Sequence, residues 1–319
     1  MTTTRLARDP DPVVDPTRAP SVSVVIPTHD RPEEVRRAIT SVLAQEYDGP
    51  LDVVVVFDRA EPDQSLVTDG ERPVRVLANA RRPGLAGSRN TGIIASAGDL
   101  VAFCDDDDEW LPGKLGTQVA ALREAPEAEL VTTAMVVDYQ GARTVRLAGS
   151  ERIEHGAFVR SRMAMIHSSS FVFRRSALLD GIGLVDETLP KSMAEDWDLL
   201  LRASARTPVV HVDRPLVRIA WGGTSYFVEQ WQVRNDAQLW LLQRHTAMGT
   251  DRVGAGLSYG KLAFGSAALG RRSESLGFAS RALRARPVEP RAWLALLVCC
   301  RVLSWQRVVT ALNRRGHGI

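Results

Sequence analysis

The sequence has few cysteines and no long apolar run. Its 319 residues include three cysteines, two of them adjacent at Cys299 and Cys300. This spacing fits neither a disulfide framework nor a zinc site, so it predicts a reducing, cytoplasmic compartment. No segment approaches the roughly 20 consecutive apolar residues of a membrane-spanning helix.

The first 20 residues lack the apolar core of a signal peptide. They are polar and contain four prolines, which predicts a flexible leader over residues 1–20. A surplus of one charge is also missing, because the formal net charge is only +2. This balance argues against nucleic acid as a partner. The composition, with 45% hydrophobic and 24% charged residues, is typical of a soluble globular protein.

Positive charge is concentrated at the C-terminal end. Residues 271–319 contain ten arginines, and their only acidic residues are Glu274 and Glu289. We predict a basic α-helical region over residues 226–319. Residues 263–296 resemble one tetratricopeptide-like helical hairpin, and because about three such repeats are needed for a stable solenoid, we expect this hairpin to pack on the preceding domain.

Two further interpretations of this basic region are open. Arg-rich helices with apolar faces can rest on anionic lipid, which would place the protein peripherally at the inner face of a membrane. A solvated basic face explains the charge equally well. The apolar residues of the region also permit a homodimer without requiring one.

Strands and helices alternate in the first part of the chain. Because buried apolar strands alternate with helices, we predict an α/β fold with a mostly parallel sheet flanked by helices on both faces. The predicted elements are strand Val22–Ile26, a helix from Arg31, strand Leu51–Phe57, a short helix near residues 62–67, strand Val74–Leu77, helix Ala86–Ala97 and strand Leu100–Cys104.

After about Glu129 the pattern becomes β-rich, with a helix expected from Ala194 and a helical tail from about Tyr226. The sequence therefore predicts one domain over residues 21–225, in two halves at 21–128 and 129–225.

Four consecutive aspartates, Asp105 to Asp108, follow a predicted strand. Unit charges of one sign about 4 Å apart repel by roughly 1 kcal/mol even in water, so the run needs an explanation. In an extended segment Asp105 and Asp107 point to the same side, and such a pair suits a divalent cation that also binds phosphate oxygens. Alternatively, the acids complement the first turn of the next helix, which explains Asp108 and Glu109 but not Asp105.

Polar residues also follow two other predicted strands. Pro27, Thr28 and Asp30 come after the first strand, and Asp58 follows the second. Ligands of parallel α/β sheets bind beyond the carboxyl ends of the strands. We therefore expect these residues and the aspartate run to converge on one edge of the sheet.

The segment "RPGLAGSRNTG" combines glycines with Arg82 and Arg89. Glycines allow close backbone approach, and the two arginines supply positive charge for a phosphate. For Gly92, packing of the helix on the sheet is the preferred interpretation.

Four blocks of the sequence resemble, in order and spacing, those of family 2 glycosyltransferases, which are inverting enzymes with the GT-A fold. The resemblance covers residues 21–225, and four blocks in series are far more specific than one motif. The blocks are "VSVVIPTHDRPEEVRRAITSVLAQ", "VVVVFD", "RRPGLAGSRNTGIIASAGDLVAFCDDDDEWLPGKL" and "AEDWDLLLRAS".

The resemblance implies a donor site. Asp105 and Asp107 look like the DXD motif, which holds Mn²⁺ or Mg²⁺ against the diphosphate of a nucleotide sugar, with Asp107 as the direct ligand. Where the family commonly has a second aspartate after the position of Asp58, this chain has Arg59. The implied nucleotide-sugar contacts are Pro27, Thr28, Asp30, Asp58, Arg82, Arg89, Asp105 and Asp106.

The resemblance also implies an acceptor side. In the family the Glu-Asp pair matched by Glu195 and Asp196 contains the general base, and we assign that role to Asp196. Ser192 and Glu195 have capping-box spacing, so Glu195 has a purely structural alternative. Trp197 and His167 are further acceptor-side candidates, although a lone histidine beside a strand is more often structural. The roles of His211 and Arg218 are open.

We therefore expect a metal-dependent, inverting glycosyltransferase that transfers a sugar from a nucleotide-diphosphate donor, first of all a UDP-sugar, to a hydroxyl acceptor in polysaccharide, glycolipid or natural-product glycosylation. A receiver-like or phosphatase domain would place its key aspartate after the first strand, where this chain has Pro27 and Thr28. A non-catalytic sugar-nucleotide or lipid-binding scaffold would be indicated by a broken DXD motif or a missing base, and neither occurs.

Overall fold

The computed structural model describes residues 18–139, 141–220 and 230–314. In these ranges one ten-stranded mixed sheet is flanked by helices. The strands are β1 (Val22–Thr28), β2 (Leu51–Phe57), β3 (Val74–Ala78), β4 (Leu100–Phe103), β5 (Glu109–Trp110), β6 (Leu130–Tyr139), β7 (Ala142–Arg146), β8 (Arg152–Ile153), β9 (Val172–Arg174) and β10 (Val209–Ala220). The helices are α1 (Pro32–Leu43), α2 (Leu85–Ala95), α3 (Lys114–Glu124), α4 (His155–Arg160), α5 (Arg175–Asp180), α6 (Glu195–Ser204), α7 (Trp231–Arg244), α8 (Ala247–Thr250), α9 (Arg252–Ala268), α10 (Arg272–Ala285), α11 (Pro290–Cys299) and α12 (Trp305–Arg314).

The order of the strands is β3-β2-β1-β4-β9-β6-β10-β5, with β7 paired to β6 and β8 paired to β10. The first four strands in this order are parallel to one another. Strand β9 runs antiparallel to both β4 and β6, and β6 is parallel to β10. The predicted α/β fold is confirmed, with antiparallel pairs added in the second half of the sheet.

Strand β1 is buried along its whole length because helices cover both faces of the sheet. Val24 and Ile26 pack in a core with α1 and α3, whereas Val25 faces a second core with α2 and α6. A Cβ atom at Gly92 on α2 would lie 2.3 Å from Cγ1 of Val25. The close approach of α2 to the sheet therefore needs glycine, which confirms the packing role expected for Gly92.

The C-terminal helices share a separate core and also contact the sheet domain. Leu257 on α9 belongs to the core cluster that contains Trp197. Nε of Arg160 pairs with Oδ2 of Asp251 at 2.9 Å. These contacts are made by the start of α9, which precedes the predicted hairpin at residues 263–296, and the buried residues of the hairpin belong to the separate C-terminal core. The packing of the hairpin on the preceding domain stays a prediction.

In the described part of the chain, no helix is both long and apolar enough to cross a membrane. The division at residue 225, the contact of the basic helices with a membrane and the homodimer stay predictions. The flexible leader and the predicted start of the tail at Tyr226 fall outside the described residues, apart from residues 18–20.

Two helix starts differ from the expectation. Helix α3 begins at Lys114, and Glu109 lies in β5, so the acidic first turn predicted for Asp108 and Glu109 is wrong. Helix α6 follows Ala194 in the left-handed conformation at φ 64°, and no side chain caps it. The predicted capping box is also wrong, because Ser192 accepts a hydrogen bond from the backbone N–H of another helix, α2, at 3.1 Å.

Lys114 is fully buried at the start of α3. Its Nζ lies 3.6 Å from the ring centroid of Trp110, and within the described residues it has no hydrogen-bond partner. Burial lowers the pKa of Lys114 to about 7. A buried ammonium group without a hydrogen-bond partner lowers the free energy of unfolding, whereas an apolar side chain of similar length would not.

Lys114→Met should raise the free energy of unfolding near neutral pH by on the order of 1–3 kcal/mol. Between the depressed folded pKa and the ordinary lysine value of about 10.4, the unfolded chain binds a proton that the folded protein does not bind. The native protein should therefore become more stable as the pH rises through this window, and Lys114→Met should lose that gain.

Urea unfolding at several pH values in this window measures both effects. Arg284→Met removes an exposed cation and should keep the native pH dependence. Parallel pH profiles for the native protein and Lys114→Met would contradict the expectation.

Candidate active site

The four aspartates that follow β4, Asp105 to Asp108, lie on a turn, which we call the aspartate turn. The backbone N–H of Asp108 donates to the carbonyl oxygen of Asp105 at 3.1 Å. Ligand atoms of Asp105, Asp108 and His167 all lie within 4.8 Å of one another. The segment is therefore a turn and not an extended strand, and the turn brings the first and fourth aspartates together. The pairing of Asp105 with Asp107 as ligands of one cation stays a prediction.

The two middle aspartates face Arg31. Nη1 of Arg31 lies 2.9 Å from Oδ1 of Asp106 and 2.6 Å from Oδ2 of Asp107. Thr28, at the end of β1, donates its hydroxyl to Oδ2 of Asp106 at 2.8 Å. Burial and the neighbouring carboxylate of Asp108 raise the pKa of Asp107 to about 7. The turn therefore carries crowded negative charge that a cation would neutralise.

Arg89 joins this turn to the start of α6. Its side chain is fully buried on α2 and forms ion pairs with Asp105 and Glu195. Its guanidinium carbon also lies 5.3 Å from the ring centroid of Phe103. Burial opposes the charge, but the two carboxylates hold the pKa of Arg89 above its ordinary value. Burial raises the pKa of Glu195 to about 7, although the arginine acts in the opposite direction.

Asp58, at the end of β2, accepts hydrogen bonds from three donors. They are the backbone N–H of Gly84 at 2.9 Å, Nδ2 of Asn79 at 2.8 Å and Nε of Arg59 at 2.9 Å. Burial opposes the ionised form, yet these donors hold the pKa of Asp58 below its usual range. Arg59, which stands where the family commonly has an aspartate, therefore pairs with its neighbour.

Asp196 lies in the first turn of α6, and its side chain is 8% exposed. One carboxylate oxygen pairs with Arg162, and the other accepts the backbone N–H of Trp197 at 2.7 Å. The charge of Asp196 also contributes to the raised pKa of His167 and of Arg89. The predicted base therefore lies beside the aspartate turn.

The structure brings most of the predicted site residues together. The convergent set is Thr28, Asp58, Arg89, Asp105, Asp106, Asp107, His167, Glu195 and Asp196.

The other predicted residues lie at the margin or in the core. Asp30 is exposed, and its Oδ2 lies 3.5 Å from Nε2 of its neighbour His29. Arg82 donates to the carbonyl oxygen of Glu187 at 2.8 Å, away from the aspartates. Pro27 is buried within β1. Trp197 is buried in the core.

The sequence analysis did not identify four residues of the site, namely Arg31, Arg162, Ser168 and Ser169. The hydroxyl of Ser168 donates to Asp105 at 3.0 Å, and that of Ser169 donates to Asp108 at 2.5 Å. The serine run directly after His167 was the available signal. Nothing in the local sequence distinguishes the two arginines from the many others in the chain.

The two residues with open roles have structural partners. His211 is buried, with its ring nitrogens 2.8 Å from Oγ1 of Thr132 and 3.3 Å from Oδ1 of Asp213. Arg218 pairs with Glu109 across β10 and β5.

The aspartate turn suits a divalent cation. Carboxylate oxygens are the ligands that Mg²⁺ and Mn²⁺ prefer, and imidazole is compatible with Mn²⁺. The carboxylates of Asp105 and Asp108 are each oriented by a serine hydroxyl. Burial opposes protonation of His167, but Asp108 and Asp105 raise its pKa to about 9. The imidazole would therefore have to lose a proton to become a ligand.

Comparison with known proteins gives a consistent result. Residues 23–181 match the family model described as "Glycosyl transferase family 2". The chain is 33% identical over 110 residues to the GalNAc(5)-diNAcBac-PP-undecaprenol beta-1,3-glucosyltransferase of Campylobacter jejuni, which is 33% of this chain and 35% of the relative. It is 31% identical over 207 residues to the succinoglycan biosynthesis protein ExoO of Rhizobium meliloti, which is 61% of this chain and 58% of ExoO.

A third relative is the UDP-Glc:alpha-D-GlcNAc-diphosphoundecaprenol beta-1,3-glucosyltransferase WfgD of Escherichia coli, 29% identical over 102 residues, or 32% of this chain and 40% of WfgD. The chain thus spans between 35% and 58% of the length of these three relatives.

Among solved structures, S. aureus TarS 1-349 in complex with UDP and in complex with UDP-GlcNAc each match with a TM-score of 0.60. The identity is 17%, and the match covers 93% of this chain and 92% of the TarS chain. This likeness shows a common fold and confirms the predicted GT-A type of α/β architecture.

Arg89→Met should lower the free energy of unfolding by about 3–5 kcal/mol, because it leaves two buried carboxylates without their counter-charge. Arg36→Met is the matched control, since it removes a half-exposed pair with Asp63 at 2.7 Å and should cost about 0–1 kcal/mol. Urea unfolding of the three proteins measures the difference, and similar small losses in both variants would contradict this account of Arg89.

Proposed function

The chain belongs to glycosyl transferase family 2, and we propose that it transfers a sugar from a nucleotide-diphosphate donor to a hydroxyl acceptor with inversion at the anomeric carbon. The observation that carries the proposal is the buried connection through Arg89. It sets the aspartate turn, where a donor diphosphate would lie, beside the α6 residue that would act as the base.

A nucleotide-sugar donor is supported by the polar groups at the carboxyl ends of β1, β2 and β4. Asp58 is held in its ionised form and offers carboxylate oxygens to a nucleoside hydroxyl or base. TarS was crystallised with UDP and UDP-GlcNAc, and WfgD is named for a UDP-Glc donor. A UDP-sugar is therefore the first donor to test.

We propose Mn²⁺ or Mg²⁺ as the cofactor. Asp105 would be one ligand, with the remaining protein ligands drawn from Asp107, Asp108 and His167. When bound, the cation would neutralise the charge that develops on the leaving diphosphate. Arg31 holds the side chain of Asp107 in place at the rim of this site.

Asp196 is the proposed general base. It would take the proton of the acceptor hydroxyl as that oxygen bonds to the anomeric carbon, while the bond from this carbon to the diphosphate oxygen breaks. A single displacement of this kind inverts the configuration. Glu195 is less suited to the task, because its partner Arg89 is fully buried and also binds Asp105, whereas Arg162, the partner of Asp196, is 29% exposed. Arg162, which pairs with Asp196, would hold its carboxylate in place.

The acceptor is proposed only as a hydroxyl-bearing saccharide. The printed names of the relatives refer to a polysaccharide, succinoglycan, and to undecaprenol-linked saccharides. Synthesis of a polysaccharide or glycolipid is thus the setting in which to seek the natural acceptor.

Asp196→Asn should reduce turnover by about 10²–10⁴-fold, because a positioned base contributes a factor of this size. Affinity for the donor should stay near the native value. Calorimetric titration with UDP and Mn²⁺ measures donor binding, and release of UDP from UDP-sugars in the presence of a saccharide panel measures turnover. Asp63→Asn, a change at an exposed carboxylate, should alter neither. Equal losses of binding and turnover in Asp196→Asn would remove Asp196 from the role of base.

Titration of UDP with and without Mn²⁺ should identify the ligands of the cation. We expect Mn²⁺-dependent binding in the native protein and a loss of that dependence in Asp105→Asn. Comparison of Asp107→Asn with Asp108→Asn then decides between the DXD pair and the cluster of Asp105, Asp108 and His167. Native binding of UDP that is unaffected by Mn²⁺ and by EDTA would contradict a metal-dependent donor site.

A further inference from the structure

Helix α11 buries one side and exposes apolar residues on the other. On the inner side, Ala292, Ala295 and Cys299 belong to the C-terminal core. On the outer side, and in the turns at both ends of the helix, large apolar residues are exposed. They form what we call the α11 strip: Val288, Trp293, Leu297, Val302 and Leu303.

The indole of Trp293 connects the helix to the turn before it. Its Nε1 donates to the carbonyl oxygen of Pro287 at 2.9 Å, so the ring lies beside Val288, which is 72% exposed. Trp293 itself is 52% exposed. Leu297 lies one helical turn further along on the same side. The first three residues of the strip therefore form one continuous apolar surface.

The turn after α11 extends this surface. Arg301 has the left-handed conformation at φ 60°, and the backbone N–H groups of Val302 and Leu303 both donate to the carbonyl oxygen of Leu297, at 3.0 and 3.3 Å. These bonds bring the chain back against the last turn of the helix. Val302 is nevertheless 67% exposed. The strip thus continues past the end of α11, whereas the apolar residues of most protein surfaces are scattered singly.

The neighbouring helices use most of their apolar residues in the core. Val308 of α12 is buried in the C-terminal core, and Trp305 packs against it. On α10, Leu276 is exposed. The preceding residue, Ser275, lies with its Oγ 3.3 Å from Sγ of Cys299, which places Leu276 at the end of the hairpin where the strip finishes. The outward apolar surface of these helices is therefore centred on α11.

The charge around the strip is positive. Residues 275–312 contain six arginines and a single acidic residue, Glu289. Glu289 is buried and pairs with two of these arginines. Arg284, in the last turn of α10, and Arg301, directly before Val302, are exposed. A partner that docks here has to accept apolar side chains flanked by cations.

A lipid surface with anionic headgroups fits this combination better than a second copy of the chain. In a two-fold dimer the same surface meets itself, so the arginines beside the strip would approach one another. Tryptophan favours the interface between membrane and water, where its ring enters the apolar region and its N–H meets polar groups. Arginines near a membrane are attracted to anionic lipids.

We propose that the α11 strip docks on an anionic lipid surface, with Trp293 and Leu297 inserted among the headgroups and with Arg284 and Arg301 close to lipid phosphates. The strip contains no residue of the candidate active site, so the proposal does not depend on the proposed function. Because the anchor combines a small apolar area with a few charges, docking should be reversible and sensitive to salt.

Sedimentation of the full chain with lipid vesicles measures docking. Vesicles of equal parts phosphatidylglycerol and phosphatidylcholine should bind the native protein, and vesicles of phosphatidylcholine alone should bind it at least about tenfold more weakly. Raising the salt from about 0.1 M to about 1 M shortens the Debye length from about 10 Å to about 3 Å and should weaken binding to the anionic vesicles.

Substitutions in the strip should weaken docking, and matched substitutions elsewhere should not. Leu297→Ser and Trp293→Ser should each lower the affinity for anionic vesicles by about tenfold, because each removes apolar area that docking buries. Leu179→Ser on α5 is the matched control, since Leu179 is 40% and Leu297 39% exposed. Arg284→Gln should lower the affinity by about fivefold, whereas Arg37→Gln, at a half-exposed arginine of α1, should keep it.

The proposal is overturned if the native protein binds neither kind of vesicle or binds both equally, or if Leu297→Ser and Trp293→Ser bind like the native protein. Light scattering tests the second copy as the occupant. A native dimer that both serine variants convert into a monomer would assign the strip to self-association and would also overturn the proposal.

Two further measurements separate docking from folding and from catalysis. Circular dichroism of the serine variants should match the native spectrum, since both residues are exposed. Titration with UDP and Mn²⁺ reports only on the donor site. Vesicle binding without UDP binding would keep the docking surface and remove the proposed transferase, and UDP binding without vesicle binding would do the reverse.

Discussion

The ion pairs of the buried Arg89 are the constraint on which the candidate site depends. The arginine lies on α2, and its two carboxylate partners lie after β4 and at the start of α6. Three separate segments of the chain must therefore meet around one guanidinium, since any carboxylate left without it would be a buried, unpaired charge. Because Asp196 follows Glu195 directly, the same contact sets the distance between the proposed base and the donor-side aspartates.

The parts of the fold that follow from local pattern were predicted well. Strand β2 has the bounds that its β-branched run indicated, and β1, β2 and β4 carry Thr28, Asp58 and Asp105 to one edge, as the rule for parallel sheets requires. The arrangement inside the site could not be predicted in this way. The turn at Asp105 to Asp108 pairs its end residues because serines more than 60 positions away donate to them, and an alternating strand pattern contains no information about such donors.

Charge partners across long sequence separations explain the other errors. The capping-box spacing of Ser192 and Glu195 is real, but Arg89 binds the glutamate and the N–H of Ala86 binds the serine, so tertiary contacts replace the local cap. Arg31 and Arg162 likewise could be assigned to the site only from the fold, which places them against Asp107 and Asp196. A chain with 40 lysines and arginines offers many equally plausible partners, and only the three-dimensional arrangement selects among them.

The aspartate turn and Asp196 have different relationships to known proteins. The aspartate turn, crowded with negative charge, lies within residues 23–181, the part that matches the family model. Asp196 and helices α7 to α12 lie beyond it. Since relatives that share a donor chemistry can differ in what they glycosylate, the acceptor site is expected where the chain departs from the shared part.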